Sequence, residues 1–145
     1  MIERQLDFKF VNKILKDAKS RSISVGFDNT PHPKSKESLA SIAAFNEDGT
    51  STIPPRPFMK MAFVSNANFM TNIRVNGRKI LRGELDSQQA MNLLKKEAVQ
   101  AVKESIDNFD NPENADATIA KKGFNDPLID TGFMRNNVRA KDVQS

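Results

Sequence analysis

The chain contains no cysteine, no tryptophan and no tyrosine, and one histidine among its 145 residues. Without Cys there are no disulfides, no thiolate metal sites and no cysteine nucleophile. One His excludes a zinc site built on several imidazoles. The aromatic content is ten Phe, which pack well but bring no hydroxyl or indole N–H. No apolar run approaches the roughly 20 residues of a spanning helix, so no membrane contact is expected. The opening Met1-Ile2-Glu3-Arg4-Gln5 is polar and mixed in charge, unlike a secretory signal. These features predict a soluble protein of a reducing compartment. Neither a Walker-type phosphate loop nor a dinucleotide fingerprint is present, and no cofactor is expected.

What is present fits a single domain over residues 1–145. A folded chain of this size exposes about 7,500 Å², roughly a third of its unfolded surface, so a core is affordable. The formal net charge is +4, unevenly placed. Residues 1–82 carry 14 Lys/Arg and 7 Asp/Glu, and residues 83–145 carry 8 and 11. Unequally solvated faces explain such a split. So does self-association, with a basic region of one copy meeting an acidic region of the next. Nucleic-acid binding is the third reading, although no dense basic run or recognised motif supports it.

Periodicity divides the chain into alternating elements. Phe8, Val11, Ile14, Leu15 and Ala18 predict an amphipathic helix over 7–19. Ile23, Val25 and Phe27 alternate with polar or small residues and predict a half-buried strand. A loop over 28–36 carries two Pro. A short helix follows over 38–45, and Gly49 is placed to take a left-handed conformation beyond its end. Three prolines in Ile53-Pro54-Pro55-Arg56-Pro57-Phe58 make a stiff, extended corner. Pro57 suits the first turn of a helix beginning near Phe58. Beyond it two patterns compete. Phe58, Met61, Ala62, Ser65, Phe69 and Ile73 fit one helical face, whereas Asn76-Gly77 is a hairpin turn signal for 73–81.

Asp86 or Ser87 caps the clearest helix, over 87–109, with Met91, Leu94, Ala98, Val102 and Phe109 in its stripe. Residues 108–116 are polar and read as a flexible connection, and 117–122 as a short helix ending at Gly123. Met134, Asn136, Val138 and Ala140 alternate with basic and polar residues and predict a strand over 134–143. The expected class is α+β, a small mainly antiparallel sheet packed against two or three helices.

Catalytic readings fail on inspection, and no enzymatic activity is expected. Leu128-Ile129-Asp130-Thr131-Gly132 matches an aspartic-protease signature, which needs two such Asp around one water. Too little chain follows Gly132 here for a flap or second lobe, and a turn is the better reading. The acidic stretch 107–116 has Phe109 and Pro112 where a calcium loop needs an oxygen ligand and a Gly. His32, between two prolines, reads as an exposed loop residue. Met59, Met61 and Met70, at helical spacing beside Phe58, Phe63 and Phe69, read as core.

Two segments suggest a family. Ala44-Phe45-Asn46-Glu47-Asp48-Gly49-Thr50, followed by Ile53-Pro54-Pro55-Arg56-Pro57-Phe58-Met59, resembles the A-x-x-N-E-x-G-T … I-P-x-R-P-F signature of small tailed-phage morphogenesis proteins. Ala117 to Val138 contains Lys122-Gly123 and Pro127-Leu128-Ile129-Asp130-Thr131-Gly132, and resembles their T-x-x-x-K-G … P-L-I-D-T-G ending. The family is the phage tail-component, or tail-completion, group, and the similarity spans about residues 21–142. Asp48 departs from it, standing where the family usually has Phe or Tyr. The resemblance implies a helical course for 58–82. It also implies a structural role at the head–tail junction of a virion, as a tail-completion, tail-terminator or neck ring subunit assembled in the host cytoplasm. The implied partners are further copies in a homo-oligomeric ring and other neck, connector or tail-tube proteins, with transient contact to passing DNA. A basic nucleic-acid-binding or DNA-packaging accessory protein is the alternative. Within the implied assembly Phe58 is expected to anchor the corner to the core. Arg56 is expected to reach a carboxylate of a neighbour or its own Asp130, and to be dispensable for folding.

Overall fold

A computed structural model describes residues 8–123, 125, 128 and 132–143; nothing is stated of the side chains of Phe8, Phe10 and Val11. Pro127, Ile129, Asp130 and Thr131 lie outside the described residues.

The elements run α1 (Phe8–Lys19), β1 (Ser22–Gly26), α2 (Leu39–Asp48), α3 (Phe58–Val64), α4 (Ala67–Leu81), α5 (Ser87–Asp107), α6 (Asp116–Lys122), α7 (Phe133–Asn136) and β2 (Arg139–Val143). The class is the expected α+β. β1 and β2 form a two-stranded antiparallel sheet in which Ser22 faces Val143 and Val25 faces Ala140. Such a ribbon is marginal alone in water and needs a covering surface. α5 supplies it, packing against both strands as well as against α3, α4 and α7. Lys95 of α5 also pairs with Asp142 of β2 at 2.7 Å.

α5 is the longest element because its sequence both starts it firmly and gives it a face to bury. Asp86 accepts the Gln89 amide, and the Gln89 side chain accepts the Asp86 amide, so two otherwise unpaired donors are satisfied reciprocally. Ala98, Ala101, Val102 and Ile106 are buried along it. Ala101, Val102 and Ile106 share one core with Leu39 and Ala43 of α2, Phe58 and Ala62 of α3, and Phe109, Leu128, Met134 and Val138 from the C-terminal third. The small Ala62 of α3 and Ala101 of α5 both lie in this core, where α3 packs on α5.

One open alternative is decided in favour of the helix that the resemblance implied, and three local expectations need correction. Residues 73–81 are helix: α4 runs through Asn76-Gly77, where Asn76 donates to Glu97 of α5 at 3.3 Å. The predicted strand over 134–143 is helical in its first part, and β2 begins only at Arg139. Met61 and Met70 are exposed rather than core, although Met59, Phe63 and Phe69 pack against it. Residues 108–116 are held rather than loose: Phe109 is buried, and Arg56 grips the chain beyond it.

Candidate functional site

The Pro-rich corner and the end of α2 fold into one unit, held by bonds of Asn46, Glu47, Thr50, Ile53 and Arg56. The Asn46 carbonyl accepts the Arg56 amide at 2.6 Å. Its side chain donates to the Ile42 carbonyl at 2.9 Å and lies 3.5 Å from Arg56 Nη1. Glu47 points across to α3, where Oε2 accepts the Met59 amide at 2.8 Å and Oε1 the Lys60 amide at 3.0 Å. Those first-turn amides have no partner within their own helix. Pro57, at the N-cap, has no side chain that could accept them. A carboxylate brought from α2 to the positive end of α3 replaces the missing local cap.

Gly49 turns the chain out of α2 with φ 78° and ψ 174°, a positive φ with extended ψ rather than the left-handed helical conformation expected. A Cβ there would lie 2.8 Å from Pro55 N and 2.9 Å from the Ile53 carbonyl. Only glycine fits both the angle and the space. Thr50 closes the loop: its hydroxyl accepts the amides of Thr52 and Ile53, and its own amide donates to the Ile53 carbonyl at 2.8 Å. Pro54 and Pro55 are exposed and Pro57 half-buried. Pro57 sits one position before the first helical residue, not within the first turn.

Arg56 is built into the fold, against the expectation that it would be dispensable for folding. It is 7% exposed, and burial pulls its pKa below the usual guanidinium value. Nε donates to the Pro112 carbonyl and Nη2 to the Glu113 carbonyl, both at 3.3 Å. The side chain therefore ties the 108–114 segment to α2 and belongs to the fold. Phe58 behaves as expected. It is fully buried, its ring meets Phe27 edge-on at 6.0 Å, and its carbonyl accepts the Ser105 hydroxyl at 2.7 Å.

The second family-like segment is described in part. Lys122 lies in the last turn of α6, and Gly123 caps that helix at φ 83° and ψ 2°, its amide donating to the Ile119 carbonyl at 2.8 Å. Leu128 is in the core. Gly132 has φ 73° and accepts the Asn136 amide at 2.9 Å, opening α7. Pro127, Asp130 and Thr131 lie outside the described residues, and with them the suggested Arg56–Asp130 pair.

Both segments border one cleft of about 1070 Å³. Asn46, Pro54 and Arg56 of the first segment and Lys122, Leu128 and Gly132 of the second line it. Glu47, Gly49, Pro55, Pro57, Phe58 and Gly123 stand outside it. His32 also borders the cleft, half-buried, with its ring edge-on to Phe133 at 5.4 Å rather than free in a loop.

Several participants escaped the sequence reading. Asn114 is buried, and its amide donates to the Asn125 side chain at 3.1 Å. The carbonyls of Pro112 and Glu113 carry no side-chain signature at all. Arg135 forms a two-pronged pair with Asp107, with Nη2 to Oδ2 at 2.7 Å, which raises the guanidinium pKa chiefly through that hydrogen bond. Among the described residues no group of three or more His, Asp or Glu could hold a metal ion, and no helix is long and apolar enough to cross a membrane.

Comparison with protein-family models, with curated proteins and with solved structures finds no match to this chain.

Proposed function

We propose that the chain is a structural subunit of the head–tail junction of a tailed phage particle, acting as a tail-completion, tail-terminator or neck protein in a ring of identical copies. The observation that carries this reading is the pair of family-like segments, which occur in family order and border one cleft in the fold. The residues of the first segment are used for architecture: Asn46 and Arg56 join two chain segments, Glu47 caps α3, and Gly49 admits Pro55. A subunit that must present a fixed outline to its neighbours benefits from such a stiff corner, because less conformational freedom is lost on assembly. The protein then works without a cofactor and without catalysis, in the virion.

Deletion of the gene from the phage that encodes this chain tests the reading. The expected result is filled heads and free tails, with joining restored by the protein supplied in trans, and the chain present in purified wild-type particles. Normal infectious particles that lack the chain would overturn it. The alternative, a nucleic-acid-binding packaging accessory, draws on α4, where Arg74, Arg78 and Lys79 are exposed with no carboxylate within salt-bridge distance among the described residues. Its signature is duplex binding that weakens steeply with salt.

A further inference from the structure

We infer that the exposed face of α4 is one half of a head-to-tail contact between copies of this chain, and that the acidic segment 104–116 of the next copy is the other half. The inference rests on the proposed ring and names its interface.

α4 has no buried residue along its whole length. Met70, Ile73 and Leu81 are 40%, 37% and 51% exposed, and Val64 at the end of the preceding helix is 73% exposed. On a helix, Met70, Ile73, Gly77 and Leu81 fall along one side, with Arg74 and Arg78 beside them. A Cβ at Gly77 would meet nothing within 4 Å, so this stripe has a shallow gap where another surface can come close. From Ala67 to Gly83 there are four cations, Arg74, Arg78, Lys79 and Arg82, and no acid.

The complementary surface lies elsewhere on the same chain. From Glu104 to Asp116 there are five acids and no cation. Asp107 is engaged by Arg135, which leaves Glu104, Asp110, Glu113 and Asp116, all exposed. Opposed patches of this kind steer association and set register.

Within one copy Glu104 borders a pocket with Asn68, Thr71 and Asn72 of α4, but the cations Arg78 and Arg82 lie towards the far end of the helix pair from Asp107 and the acids beyond it. The short turn 82–86 makes α4 and α5 antiparallel neighbours. Asn76 lies level with Glu97. Asp107 then lies about 15 Å further along α5, and Arg78 and Arg82 lie on the opposite side of that level. A contact between unlike patches at opposite ends of a subunit is heterologous, and it propagates around a ring or along a filament.

The test uses two double variants of the full chain, Arg74→Glu with Arg78→Glu and Asp110→Lys with Glu113→Lys. All four residues are exposed, and each protein's melting curve verifies its fold. Sedimentation at low salt and high protein concentration is expected to show wild-type oligomers and at least a tenfold loss of association in each variant alone. An equimolar mixture of the two variants should recover association, because each retains the patch the other lacks. Met70→Ser with Ile73→Ser, which leaves the charges in place, should also weaken assembly. A monomeric wild type, or oligomers indifferent to both charge reversals, overturns the interface. Steep salt-dependent binding of duplex DNA that disappears with Arg74→Glu and Arg78→Glu, without self-association, assigns the face to nucleic acid instead and likewise overturns it. None of these outcomes changes whether the chain is found in purified particles, so the interface and the structural role fail separately.

Discussion

The guanidinium of Arg56 is a positive charge held by neutral oxygens, two loop carbonyls and the Asn46 side chain. A hydrogen bond to a charged donor contributes about 1.5–3 kcal/mol, and a buried acceptor left unpaired costs a comparable amount. Arg56→Ala is therefore expected to destabilise the protein by about 2–4 kcal/mol in urea unfolding, with Arg56→Lys recovering only a minor part because an ammonium lacks the fork geometry. A variant as stable as wild type would return Arg56 to the solvated surface. A second residue-scale effect concerns acid. The Asp28 carboxyl is held below its usual pKa, first by the Thr30 hydroxyl and then by the Thr30 amide. Because the folded pKa lies below the unfolded one, this stabilisation is present above about pH 4 and is lost as pH falls through the folded value. Asp28→Asn should lower Tm at neutral pH and flatten its decline on acidification. Parallel Tm–pH curves for the two proteins would rule the coupling out.

Among the elements, α4 shows how tertiary structure overrides a local signal. Asn-Gly favours a hairpin when its flanks can pair as strands. Here Phe69 packs on the core and Asn76 bonds to α5, and both contacts need helical spacing. Gly77 then sits mid-helix, with open space around its would-be Cβ. Gly77→Ala should stabilise the chain by about 0.5–1 kcal/mol, read as a raised urea midpoint at unchanged slope. The misread strand has a related cause. Met134 and Val138 are both buried, and a separation of four residues satisfies a period of two and a period of 3.6 alike. The turn opened by Gly132 decides for helix, and alternation resumes only at β2. α5 was legible because its cap and stripe agree. The corner was legible as a stiff unit, from its prolines. That Arg56 belongs inside it was not legible, since its partners are backbone carbonyls beyond Phe109 that no side-chain pattern marks.

At the scale of the whole molecule, the core is small for the chain. It gathers around α5 and leaves α4 and α6 with no buried residue. One consequence is that stability and assembly are separable: interior substitutions act on α5 and its neighbours, and surface changes on α4 leave the core intact. The antiparallel pairing of β1 with β2 carries a different consequence, one of time. Val25 faces Ala140, so almost the entire chain lies between the two strands when they meet. Closing so long a loop costs entropy before any ladder bond forms. Sheet closure should then follow the docking of α3 on α5, whose contacts are nearer in sequence. Val102→Ala, at a fully buried α5 position, should slow refolding, whereas Val25→Ala should leave refolding almost unchanged and accelerate unfolding. Stopped-flow chevrons distinguish the two, and a refolding limb equally displaced by both substitutions would mean that the ribbon closes early. If it closes late, the newly made chain passes through a stage in which its helical centre is packed and both strands are still unpaired, open to a strand of another copy before they find each other.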